Sequence, residues 1–204
     1  TGAKAPKDVL RKLVEFATRH QILIVNDNPY SFILNDEPTS ILEIEGAKDV
    51  CIELNSLSKT FNIAGWRIGM VIGKETFINS ILKVKSNMDS GMNFAIQKAA
   101  AKALLVDDSW YDELTTIYAE RRKAIWEIAD LLDVKYNPDT AGMFIWAKLP
   151  EDVDDKEFID EILYTKKIFI TPGSIFGSNG KGFIRFSLCA PIEKLIEVKK
   201  RLEA

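Results

Sequence analysis

Histidine occurs once and cysteine twice in these 204 residues, and nowhere do His, Cys, Asp and Glu gather at ligand spacing, which argues against a zinc or iron site. Lys and Arg together number 27 against 30 for Asp and Glu, a net charge of -3 without a basic tract, so a nucleic acid is an unfavoured partner. The longest apolar runs, at 22–25 and 144–147, fall far short of the roughly 20 residues that span a bilayer. The opening Thr1-Gly2-Ala3-Lys4-Ala5-Pro6 has neither an initiator Met nor an apolar signal region. It reads as an internal cut or an expression scar, and export is unsupported. Both cysteines, Cys51 in VCIEL and Cys189 in FSLCA, lie within apolar runs, as reduced, buried thiols of a cytoplasmic protein would.

With 47% hydrophobic and 28% charged residues the chain has the composition of a globular protein, and its length allows a sizeable core. Val9, Leu10, Leu13, Val14 and Ala17 recur at helical spacing up to His20, and a strand follows at 22–25. The single histidine in a last helical turn suits the helix dipole and reads as structural. Further strands are expected at 50–54 and 68–72, apolar on both faces like those of a sheet covered by helices. Helical patterns occupy 75–87 and 94–132, broken at Asp89-Ser90-Gly91 and Asp107-Asp108-Ser109, and form a spacer between two lobes. Beyond Asn137-Pro138 come a strand (143–149), a helix (156–165), a strand (168–171), a glycine-rich loop, a strand (183–189) and a last helix (192–202), the pattern of a small α+β lobe.

The stretch Ser56-Leu57-Ser58-Lys59-Thr60-Phe61-Asn62-Ile63-Ala64-Gly65-Trp66-Arg67-Ile68-Gly69 follows a buried strand directly. Ligands of open α/β sheets bind beyond the carboxyl ends of strands, and Asp27 and Tyr30 follow the first strand in the same way. Taken singly these residues have plainer readings. A lysine after a strand is usually solvated, Asp27 in Asn26-Asp27-Asn28-Pro29 could cap a turn, and Arg185 could be an exposed strand arginine paired with an acid.

Together, SLSKTFNIAGWRIG resembles the cofactor-lysine signature of class I/II aminotransferases of pyridoxal phosphate (PLP) fold type I, Ser-x-Ser-Lys followed by Asn-x-x-Gly-x-Arg-x-Gly. NDNPY resembles the family's Asp-x-x-Tyr, PGSIFG its Pro-Gly-x-x-Phe-Gly loop and GFIRFSLC its substrate-arginine strand, so the resemblance runs over nearly the whole chain. Residues 83–91, Lys-Val-Lys-Ser-Asn-Met-Asp-Ser-Gly, resemble a stretch of diaminopimelate-type and related aminotransferases, although a solvated helix end would look the same.

The resemblance implies an α/β fold: the second half of a PLP-binding large domain, mostly parallel sheet with helices, over 1–110, then a linking helix and small α+β domain over 111–204. It implies that Lys59 is the Schiff-base lysine and moves the substrate proton. A lysine amine does this only where its surroundings lower its proton affinity. Ser56 and Arg67 would hold the cofactor phosphate, Asp27 would pair with the protonated ring nitrogen, and Tyr30 would bond the phenolic oxygen. Arg185 would clamp the substrate α-carboxylate bidentately. The implied reaction transfers an amino group from an α-amino acid to a 2-oxo acid, in a cytoplasmic homodimer.

Family members are longer at the N-terminus, and Thr1-Gly2 resembles the tail of their Asn-Pro-Thr-Gly loop. The glycine-rich phosphate loop, the ring that stacks on the cofactor and an asparagine beside the phenolic oxygen are then missing here, and this stretch alone is expected not to transaminate. Other functions stay open: carbon–sulfur β-lysis or decarboxylation on the same scaffold, or an aminotransferase-like sensor domain of a transcription regulator.

Overall fold

The apolar stripe from Val9 to Ala17 folds as α1 (Lys7–His20), which buries Leu10, Val14 and Ala17 and ends where Gln21 turns left-handed and donates its N–H to Ala17 O. A computed structural model describes residues 1–204. Within it the chain forms two compact units, Ala5–Tyr111 and Asp112–Ala204 with Thr1–Lys4.

In the first unit, β1 (Ile24–Asp27) runs parallel to β2 (Cys51–Ser56), and β3 (Gly69–Gly73) runs antiparallel on the other side of β2. The helix exit consumes Ile22, whose N–H also bonds Ala17 O, so β1 starts later than the apolar run and contains Asp27 itself. Side chains alternate across the sheet. Ile24, Asn26, Cys51, Glu53, Asn55 and Met70 share one face, and Val25, Asp27, Ile52, Leu54, Ser56 and Val71 share the other. The first face carries the core of Leu10, Val14, Ile41, Ala47 and Cys51. On the second, Val25 and Val71 stay 53% and 40% exposed, so the expected cover on both faces is not supplied by these residues.

A short helix α2 (Ala47–Val50) leads into β2, and a single helical turn α3 (Leu57–Thr60) follows it. Helices α4 (Glu75–Met88) and α5 (Phe94–Ala103) come next, and α5 contributes Ala100 to a second core with Leu57, Phe61 and Ile68. The long α6 (Asp108–Leu131) starts at the break read at Asp107 and runs into the second unit.

That unit is a four-stranded antiparallel sheet, in the order β4 (Lys135–Tyr136), β5 (Phe144–Lys148), β7 (Phe183–Ser187), β6 (Thr171–Pro172), with helices α7 (Asp155–Lys166) and α8 (Ile192–Glu203). Ile145, Ala147, Ile184 and Phe186 are its buried stripe. The strand expected at 168–171 shrinks to Thr171–Pro172, where proline has no N–H to extend the ladder. Cys189 departs from expectation too: the alternation that buries Phe186 and Leu188 turns Ser187 and Cys189 outward, and Cys189 is exposed while Cys51 is buried. Thr1–Lys4 are fastened within this unit by Ala141 N–H to Gly2 O at 2.8 Å and a Lys4–Asp139 ion pair at 2.7 Å.

Candidate active site

Five of the six residues singled out by sequence lie at one end of the first unit's sheet. β1 and β2 are neighbouring parallel strands in register from Ile24↔Cys51 to Asp27↔Leu54, so their carboxyl ends finish side by side. Asp27 is the last residue of β1 and Ser56 the last of β2, on the same face. Asp27 is exposed and Tyr30, three residues on in the turn after β1, is half-buried.

Lys59 stands not in an open loop but on α3. The Ser56 hydroxyl accepts the Ser58 N–H at 3.2 Å and so starts the turn, keeping its own O–H as a donor. Leu57, Ser58 and Thr60 are buried, and Thr60 O accepts the Trp110 indole N–H at 2.8 Å. With its neighbours packed inward, Lys59 is left half-exposed on a fixed turn. The chain then reverses through Asn62, left-handed at φ 53°, and a 3-10 turn over Ala64–Trp66.

Arg67 is also left-handed, at φ 54°, and its guanidinium donates to Ala64 O at 3.1 Å. Leu57 N–H to Ile68 O and the Ser56↔Gly69 pairing close the base of the loop, so Ser56, Lys59 and Arg67 belong to one clasp. Gly69 is required there, because an added Cβ would stand 2.7 Å from Asn55 O. Gly65 is different: a Cβ would meet nothing within 4 Å, so packing within the described chain does not demand a glycine.

Arg185, the sixth residue, lies in the second unit at the centre of β7, opposite Trp146 on β5 and Thr171 on β6. Its guanidinium carbon is 4.2 Å from the ring centroids of both Phe144 and Phe176. This cation between two aromatic faces is not the exposed acid-paired arginine of the plainer reading. Phe183 stacks on Trp146 and Phe186 is buried, as packing residues.

The sequence profile of the family described as aminotransferase class I and II matches residues 1–202. The chain belongs to that family. Class I and II aminotransferases depend on pyridoxal phosphate, and the side chains at this end of the sheet include the donor types such a molecule calls for: an amine, a carboxylate, a phenol, a hydroxyl and a guanidinium. Gly65 adds a place where backbone is accessible without a side chain.

Among class I and II relatives, the LL-diaminopimelate aminotransferase of Gloeobacter violaceus is 40% identical over 207 residues, covering 100% of this chain and 53% of that protein. The LL-diaminopimelate aminotransferase of Nitratidesulfovibrio vulgaris is 38% identical over 206 residues, covering 99% of this chain and 53% of that protein. The solved structure of BacF from Bacillus subtilis is 35% identical with a TM-score of 0.91, covering 100% of this chain and 52% of that one. The chain thus spans about half the length of the relatives it matches.

Three features of the site were not read from sequence. The helical turn under Lys59 is too short for a periodic signal, and the rings on Arg185 are brought to it by the fold, Phe144 from the neighbouring strand β5 and Phe176 from the turn before β7. The third is Glu53, which is 4% exposed and accepts hydrogen bonds from Asn26, Ser40 and the Ile41 N–H. Its one trace in the sequence is an acid inside the apolar run VCIEL. No cluster of three or more potential metal-ligating side chains is present, and no helix is long and apolar enough to cross a membrane.

Proposed function

We propose that these residues are the lysine-bearing half of a PLP-dependent aminotransferase that moves an amino group from an α-amino acid to a 2-oxo acid, acting as a cytoplasmic homodimer. The observation that carries the reading is the clasp from Ser56 to Gly69, which fixes Lys59 on a packed turn beside the strand end bearing Asp27. When bound, the cofactor supplies an electron sink for the pair left behind as the substrate Cα proton departs.

The chain's residues supply the rest. Lys59 would hold the cofactor through its amine and would serve as the base that moves the proton from the substrate Cα to the cofactor's C4′ carbon. Asp27 holds the ring nitrogen in its protonated form by its negative charge, and Tyr30 donates to the phenolic oxygen. Ser56 and Arg67 hold the phosphate through charge-assisted bonds of roughly 1.5–3 kcal/mol each. Arg185 grips the α-carboxylate, with Phe144 and Phe176 restricting the plane of its guanidinium.

The open sheet face with Val25 and Val71, and the exposed Leu82, Val84 and Met88 of α4, favour burial under the remaining length of the polypeptide or a second subunit. The names of the relatives make LL-diaminopimelate the first donor to assay.

The test is a single turnover. The full-length protein, loaded with cofactor and mixed with amino donor alone, releases one equivalent of 2-oxo acid per site and resumes only when a 2-oxo acid is added. Continuous release of ammonia with pyruvate, or of carbon dioxide, would replace transfer by lysis or decarboxylation.

A further inference from the structure

The end of β1 is held from behind. Asp27 projects to the open face of the sheet, while its neighbours Asn26 and Asn28 project to the other. There both meet Glu53 of β2: Asn26 Nδ2 donates to Oε2 at 2.9 Å, and Asn28 Nδ2 reaches Oε1 at 3.5 Å. Oε2 also accepts the Ser40 hydroxyl at 2.9 Å and the Ile41 N–H at 3.1 Å, and no Lys or Arg forms an ion pair with this carboxylate. At 4% exposure Glu53 is largely withdrawn from bulk solvent, and these four donors are the partners of its carboxylate.

Asn28 is secured on three further sides. Its N–H donates to Leu54 O at 2.8 Å, its carbonyl accepts from Asn55 Nδ2 at 3.1 Å, and its side chain donates to Thr39 O at 3.2 Å. The residues before and after Asp27 are thus both pinned to β2, and one side chain joins them to the 40–41 loop.

We infer that Glu53 is a positioning residue for Asp27: a buried carboxylate on the opposite sheet face that fixes the backbone carrying the group meant for the cofactor's ring nitrogen. The inference rests on the aminotransferase reading above and extends it to a residue outside the family's lysine signature. Glu53 lies on the sheet face opposite Asp27, away from the group assigned to the cofactor. Its effect passes through the direction in which Asp27 leaves the strand, and a small misplacement of such a group has a large chemical effect.

The test is a double-mutant cycle in the full-length protein, comparing Glu53→Ala, Asp27→Ala and the pair. Three quantities are read: the PLP dissociation constant, the ratio of the bound cofactor's near-visible absorption bands at fixed pH, and the melting temperature without cofactor. Glu53→Ala is expected to weaken PLP binding by roughly tenfold and change the band ratio, yet to change binding by less than about twofold once Asp27 is alanine. The melting temperature falls with Glu53→Ala in both backgrounds.

Should Glu53→Ala fail to fold, Glu53→Gln carries the same cycle. It keeps one oxygen for Ser40, Ile41 and Asn26 and sets an amide against Asn28, and a smaller shift of the same dependent kind is expected. An equal loss of binding with and without Asp27, or a lower melting temperature with binding and spectrum unchanged, overturns the inference alone. An Asp27→Ala protein matching the parent in binding and spectrum overturns the cofactor reading and this inference with it.

Discussion

Lys59 and Arg185 hold the two central roles in the proposed chemistry, and each yields a distinct prediction. Lys59→Ala removes anchor and base together, and turnover is expected to fall by at least about a thousandfold with the melting temperature little changed, since the side chain is half-exposed. Arg185→Lys keeps the charge but loses the fork that matches a carboxylate, so KM for the amino acid should rise by roughly 10- to 100-fold. Phe176→Ala removes one of the two rings on the guanidinium and should raise KM by a few-fold, in line with a cation–π contact of about 0.5–2 kcal/mol. Initial-rate kinetics on the full-length protein check all three. The signature around Lys59 is legible because its residue types fall in a fixed order within one short stretch, Ser56 to Gly69. Glu53 was not, since its role depends on which face of β2 is buried and on Ser40, thirteen residues away.

The elements hold these side chains in place, and two of them can be tested alone. Asp155 opens α7 at 1% exposure and accepts the Ser174 N–H at 2.8 Å, tying down the loop that carries Phe176. Burial pushes its carboxyl up, but hydrogen bonds from the Ser174 and Gly182 N–H groups outweigh that and leave it below the usual 3.8. A carboxyl depressed by folding adds stability that is fully present above its unfolded value and is lost as pH falls through the folded one. Asp155→Asn should therefore flatten the acid limb of an unfolding curve below about pH 4 and cost roughly 1–3 kcal/mol at neutral pH, as read by circular dichroism.

Gly69→Ala would set a Cβ 2.7 Å from Asn55 O and should destabilise the protein by about 1–3 kcal/mol while weakening PLP binding, because the clasp closes on that pair. Helices α1, α4, α7 and α8 were legible from periodicity to within a residue or two of their ends. The strands shifted at their ends: β1 moved on to take in Asp27, and the run at 168–171 kept only its last residue in the ladder, for reasons that lie in the helix exit at Gln21 and in Pro172.

At the scale of the whole molecule, the chain matches about half the length of its relatives, and one face of its three-stranded sheet carries exposed valines. No sequence pattern distinguishes a strand covered by its own chain from one covered by residues elsewhere, so the expectation of a doubly covered sheet could not be checked by reading apolar runs alone. The 204-residue chain by itself is expected to show no transamination, whereas the full-length protein is expected to show it.

The most direct measurement of the central claim is covalent trapping. The full-length protein and the 204-residue chain are each incubated with PLP, reduced with borohydride and digested, and the labelled peptide is mapped by mass spectrometry. Labelling confined to Lys59 is expected in the full-length protein, with little or none in the shorter chain. Absence of label at Lys59 in the full-length protein, or label spread over surface lysines, would contradict it and leave the resemblance as one of fold without the chemistry.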